Sequence, residues 1–248
     1  MSHDPLFDTD QNRALLVICA RRSISNVGIG GIIWGVINLG VGIVALRATS
    51  LNFGLVLLGL LMLIAGINAI ARPSLRALLA EAIVSVLLLV WNIGITVLNA
   101  RAGDTAHVNG HGLIYPAVAA FLFFRQYQRL GHLKQAIHTM DAETVKQTAK
   151  LCKDLFRQKI KLTPDIAEAA ARKVRVKFMT DSVFCVQRDL QRAFSMGVED
   201  FRKAIKDINA KKLQLTVNHP LGKLTYAFDK ANSEKIKGWL AAKPLQPA

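Results

Sequence analysis

Four long apolar stretches, almost free of charge, lie before Arg125. The 24 residues between Arg22 and Arg47 are uncharged, and so are the 24 between Arg47 and Arg72. Between Arg76 and Arg101 the only charge is Glu81, and between Asp104 and Arg125 there is none. A helix crosses the hydrocarbon core with about 20 apolar residues and satisfies its backbone polar groups internally. Three stretches exceed that length and the fourth just reaches it. The expected fold is a multi-pass α-helical membrane protein with four transmembrane helices, at about 27–46, 51–71, 76–99 and 107–124, and a C-terminal cytoplasmic α+β domain.

Charge divides the chain in the same way. The net charge is +15 over 248 residues, but residues 1–124 contribute only +2 and residues 125–248 contribute +13. A basic domain tethered to a bilayer has two anionic partners to choose from, lipid head groups and nucleic acid. Each Lys or Arg near an anionic leaflet contributes about 1 kcal/mol within a Debye length, which favours lipid. Nucleic-acid binding needs stacking aromatics interleaved with cations. The aromatics of this domain sit mainly at core-periodic positions, so no nucleic acid is expected.

Arg13, Arg21 and Arg22 precede the first span, Arg72 and Arg76 join the second to the third, and the basic domain follows the fourth. The two other connections hold only Arg47 and Arg101, the latter beside Asp104. Positive residues stay inside. The chain is expected in the cell membrane with both termini cytoplasmic, which requires an even number of spans. Asp4, Asp8 and Asp10 replace a positive leader region, so no cleavable signal peptide is expected. Residues 1–26 read as a cytoplasmic tail with an interfacial helix over 11–22, apolar at Leu15–Ile18 and anchored by Arg21 and Arg22.

Span one carries Gly28, Gly31, Gly35, Asn38, Gly42 and Ala45 at steps of three and four, a seam along one face. Span two has Asn52, Gly59 and Gly66 at sevenfold spacing, and span three has Glu81, Ser85, Leu88, Asn92 and Asn99 on one face. Small residues let membrane helices approach closely, so these faces should meet inside the bundle, or support self-association. The competing reading is a hydrated path for an ion or solute lined by Asn38, Glu81 and Asn92.

Other motifs resolve blandly. His107 and His111 are four apart, but Gly110 and Gly112 favour a turn, so they read as loop polarity and no metal site is expected. Gly40, Gly42 and Ala45 match a dinucleotide fingerprint without the strand that must precede it. Cys19, Cys152 and Cys185 lack paired spacing and read as reduced buried thiols. No hydrolase, metalloprotease or nucleotide-binding motif is present, so neither an enzyme nor a cofactor is expected.

Residues 125–172 read as a basic helical connector. Asp141 caps a helix with an apolar stripe at Val145, Ala149, Cys152, Phe156 and Ile160, opposite Lys146, Lys150, Lys153 and Arg157. That helix either packs on the following domain or lies on the inner leaflet. Thr163-Pro164 starts another helix. From Lys173 the period becomes two. Lys173, Arg175 and Lys177 alternate with Val174, Val176 and Phe178 as a strand with one basic and one apolar face. A turn at Thr180–Ser182 leads to strand 183–187, and Ala193–Met196 reads as another strand. A helix over Val198–Asn209 turns Phe201, Ile205 and Ile208 inward. Leu213–Val217 and Leu224–Phe228 form a hairpin about His219-Pro220-Leu221-Gly222. A last helix from Asn232 or Ser233 buries Ile236, Trp239 and Leu240, and residues 243–248 are a tail.

Lys177-Phe178-Met179-Thr180-Asp181-Ser182-Val183, the segment Gly197–Phe201, the last hairpin and Asn232–Leu240 together resemble bacterial pleckstrin-homology-like and GRAM-like modules attached to small membrane proteins. The resemblance covers 173–242, with about five strands where a full module has seven. It implies a platform for lipids or proteins. The basic strand face, Lys173, Arg175 and Lys177 with Arg188 and Arg192, is the expected contact surface for anionic head groups. The expected role is non-enzymatic: anchoring, lipid sensing or scaffolding through a protein partner or a second copy. The alternative is a small channel or transporter regulated by the domain.

Overall fold

The computed structural model describes residues 5–46, 53–101, 111–131, 133, 140–156, 167–171, 174–187, 192–209 and 212–243. The chain divides into two compact units, Arg21–Lys134 and a second made of Met1–Ala20 with Gln135–Ala248.

The first unit is helical: α1 (Asp10–Leu46) from Arg21 onward, α2 (Phe53–Ala71), α3 (Leu75–Arg101) and α4 (His111–Gly131). α1, α2 and α3 are long and apolar enough to cross a membrane. Pro73 cannot continue α2, and Ser74 restarts the helix by accepting from Ala77 N–H at 3.2 Å. α4 runs through Arg125 and Arg129 to Gly131 and contains Pro116, so the change of solvent expected at Arg125 falls inside a helix. Residues 102–110, with His107, lie outside the described residues. Apart from Ile208, every strongly exposed large hydrophobic side chain among the described residues lies between Ile29 and Phe124. A soluble surface does not carry such a belt.

The glycine seam of α1 packs antiparallel on α2. A Cβ added to Gly28 would sit 2.8 Å from the Gly66 carbonyl oxygen, one on Gly35 2.7 Å from the Leu63 nitrogen, and one on Gly42 2.9 Å from the Val56 nitrogen. From the α2 side, a Cβ on Gly59 would sit 2.7 Å from the Leu39 nitrogen. These backbones touch, and any side chain there would push them apart. The seam is therefore consumed within one chain. Met62, Ala82, Ala119 and Phe123 form one core cluster, and Leu55, Leu58 and Leu88 another.

The second unit is α+β. β1 (Ala167–Ala171), β2 (Val174–Phe178), β3 (Ser182–Gln187) and β4 (Ala193–Gly197) form an antiparallel sheet in that order. β5 (Ile205–Asn209), β6 (Lys212–His219) and β7 (Gly222–Ala227) form a second. Helix α5 (Ala142–Phe156) precedes them, α6 (Val198–Ala204) links the sheets, and α7 (Lys230–Ala241) follows. Phe178, Phe201 and Trp239 close the core as an aromatic triad, with centroids 4.8 to 6.3 Å apart. Gly222, at φ 115°, allows the tight β6–β7 turn that pairs His219 with Gly222.

Three expectations fail here. Residues 11–22 do not form a separate interfacial helix. They belong to the single helix α1, whose residues Ala14–Ala20 are all buried, with Ala14, Val17 and Ile18 packed on Val145 of α5. An interfacial helix needs a polar face, and Ala14–Ala20 has none. Ala167–Ala171 is a strand although its composition favours a helix, because pairing with β2 overrides propensity. The helix expected through Asn209 ends at Ala204, and β5 leaves Ile208 exposed. Thr163 and Pro164 lie outside the described residues.

Candidate functional site

Two places in the fold gather residues with chemistry to offer. The first is one end of the four-stranded sheet. β2 starts and β3 ends there, with Val174 paired to Gln187, and the Gln187 N–H donates to the Arg192 carbonyl at 2.8 Å. Those strand ends flank Lys173 and Arg188, which themselves lie outside the described residues. Arg175 is exposed on β2. Arg192 is half-buried and its guanidinium donates to the Leu221 carbonyl at 3.5 Å, a contact with the β6–β7 turn. Lys177 departs from the expected solvated face, because its side chain is fully buried. β2 and β3 are the central strands, and Val183–Val186 is buried throughout, so alternation does not separate a wet face from a dry one. Arg175 is therefore the exposed cation of β2, Arg192 lies two strands away and turns to Leu221, and Lys177 is buried.

The same unit contains an arrangement that sequence reasoning missed. Asn12 of α1 is buried against β4, the edge strand. Its carboxamide nitrogen donates to the Ser195 carbonyl at 2.7 Å, and its carboxamide oxygen accepts from the Ser195 N–H at 2.7 Å. One side chain thus replaces the peptide group of a neighbouring strand and blunts an edge that would otherwise invite pairing. The same nitrogen donates to the Leu6 carbonyl at 2.6 Å. Phe7 is buried edge-on to His219 at 5.0 Å and to Phe194 at 6.5 Å. Leu221 N–H donates to His219 Nδ1 at 3.1 Å. The signal that could have revealed this is the run Ala14–Ala20, small or apolar on every side of a helix, which marks a buried helix and not a surface one.

Helix ends and thiols in this unit are ordinary. Asp141 caps α5 by accepting from Thr144 N–H at 2.9 Å, and Asp229 caps α7 by accepting from Asn232 N–H at 2.8 Å. Those backbone hydrogen bonds hold both carboxyls below the usual Asp range. The apolar side of α5, Val145 and Cys152, is buried, which leaves Lys146, Lys150 and Lys153 exposed on the other side. Burial pushes the Cys152 thiol up to about 11, and pushes Cys185 up as well. Cys19, Cys152 and Cys185 are all free and buried.

The second place is in the helical unit. Glu81 of α3 is fully buried, and neither of its carboxyl oxygens has a hydrogen-bond partner. Glu81 Oε1 would be 2.6 Å from a Cβ on Gly31, and the Gly66 Cα would be 3.3 Å from the same point. Gly31, Gly66 and Glu81 are thus brought together as their spacing suggested. One turn on, Ser85 directs its hydroxyl at the Met62 sulfur, 3.9 Å away. Asn38 and Asn92 do not join them. Asn38 donates to the Trp34 carbonyl of its own helix at 2.8 Å and packs beside Gly59, and Asn92 is only half-buried. No group of three His, Cys, Asp or Glu suited to a metal ion occurs among the described residues. No protein-family model, curated protein or solved structure matches the chain at a significant level.

Proposed function

We propose that the chain is a non-enzymatic, four-span membrane protein whose cytoplasmic unit is a pleckstrin-homology-like platform for anionic lipid head groups. The antiparallel order of four strands, then three, then a C-terminal helix supports the fold reading. Two of those strands, β1 and β5, supply the pair missing from the five expected from sequence.

The observation that carries the topology is the Asn12–Ser195 pairing. Residues before the first span and residues after the last share one core, so they lie on one side of the bilayer. That requires an even number of crossings. α1, α2 and α3 account for three. α4, with Ile114, Val118, Phe121 and Leu122 exposed, is read as the fourth. The Lys and Arg distribution favours the cytoplasm as the shared side.

Lipid binding follows from charge and place. Arg175 is exposed on β2, and Lys173 and Arg188 adjoin the ends of β2 and β3 in sequence. Each cation that reaches an anionic surface contributes about 1 kcal/mol, a roughly fivefold preference at low salt. The test uses the whole chain, because a fragment beginning after α4 would lack Asn12 and Phe7. Chain held in neutral-lipid nanodiscs is mixed with phosphatidylserine or phosphatidylcholine vesicles across a salt series. The expected result is capture by anionic vesicles only, lost at high salt and weakened at least tenfold by Lys173→Glu with Arg175→Glu. Absence of capture at low salt would refute the lipid reading and leave a protein partner as the remaining platform role.

A further inference from the structure

We propose that Glu81 is an intramembrane proton-binding site, a carboxyl group that carries a proton taken from water and returns it to water. The reaction balances as carboxylate plus hydronium giving carboxylic acid plus water. The geometry supplies the argument. Glu81 is fully buried with both oxygens unpartnered, seated against α1 where Gly31 leaves the space it fills. An ionised carboxylate in apolar surroundings is neutralised unless something pairs with it.

None of the described residues does so. Residues 23–46, 53–71 and 111–124 of α1, α2 and α4 contain no Asp, Glu, Lys or Arg. Their only titratable side chains are His111 and Tyr115, and Tyr115 is exposed and tilted against Trp34. On α3 the nearest charge is Arg76, an exposed residue one and a half turns away. A bound metal cation would need several oxygen ligands. The Ser85 hydroxyl, one turn on, is turned to the Met62 sulfur. A proton needs no such shell. The site is narrower than a conduction path, because Asn38 and Asn92 lie apart from it.

The test is carbodiimide modification of the full chain in liposomes, mapped by peptide mass spectrometry. A membrane-soluble carbodiimide, which reacts with the protonated acid, should modify Glu81 at least tenfold more than a water-soluble one. Modification should fall as the pH is raised, ignore exchange of sodium for potassium, and vanish in Glu81→Gln. That variant should keep the thermal midpoint of the parent, showing that it is folded. Three outcomes would overturn the proposal: no modification at Glu81, equal modification by the water-soluble reagent, or protection by sodium in place of alkaline pH.

Discussion

The two units of this chain solve the same packing problem with opposite materials. In the helical unit close contact comes from what is missing: Gly28, Gly35, Gly42, Gly59 and Gly66 remove side chains so that α1 and α2 touch backbone to backbone. In the α+β unit it comes from what is added: Asn12 places a carboxamide on the edge of β4, and Phe178, Phe201 and Trp239 fill a core with rings. The difference follows from solvent. Lipid supplies no hydrophobic force between helices, so contact area and dispersion must do the work. Water supplies that force, and the residual task is to satisfy polar groups at the edges.

The comparison can be broken by substitutions that exchange the two materials. Truncating the ring core is expected to have the largest effect. Phe201→Ala should destabilise the α+β unit by about 4 kcal/mol, read from thermal unfolding by Trp239 fluorescence with Trp34 and Trp91 replaced by Phe. Filling the seam comes next. Gly35→Leu should cost the helical unit about 3 kcal/mol by overpacking, read by Trp34 and Trp91 fluorescence in detergent. Gly40→Leu is the control, since a Cβ there meets nothing within 4 Å and should change little. Equal effects at Gly35 and Gly40 would remove the seam from the account. Asn12→Ala should cost about 2 kcal/mol, because it strands the buried N–H and C=O of Ser195.

The smallest effect concerns pH. Burial holds the Cys152 thiol up at about 11, above its unfolded value of about 8.5. The folded state therefore binds more protons across that interval, and stability should fall as pH rises from about 8.5 toward 11. Cys152→Ala should flatten part of that slope in an alkaline melting series. An unchanged slope would mean that Cys185 or Tyr226, both also pushed up by burial, dominates it.

What could be read from sequence was periodic. The seam of α1, the buried side of α3 at Glu81, Ser85 and Leu88, the Asp141 cap and the β6–β7 hairpin all follow from local spacing. What escaped was set by partners distant in the chain. Ala167–Ala171 is helix-forming by composition and becomes a strand only because β2 lies beside it. Lys177 alternates with the same face as exposed Arg175 and is buried nonetheless, which local spacing does not foretell. Asn12 meets Ser195 across 183 residues. Sites behaved likewise: Gly31, Gly66 and Glu81 converge as spacing implied, while the closure of the α+β unit by residues 5–20 has no local signal beyond the all-round apolar run after Asn12.

The most direct test of that closure is amide hydrogen exchange of the peptide spanning Ala193–Gly197 in the full chain. The Ser195 amide, bonded to Asn12, should be protected in the parent and exchange at least tenfold faster in Asn12→Ala and in a chain lacking residues 1–12. Equal exchange in all three would show that the N-terminal residues are no part of the domain, and the shared-side argument for four crossings would fall with it.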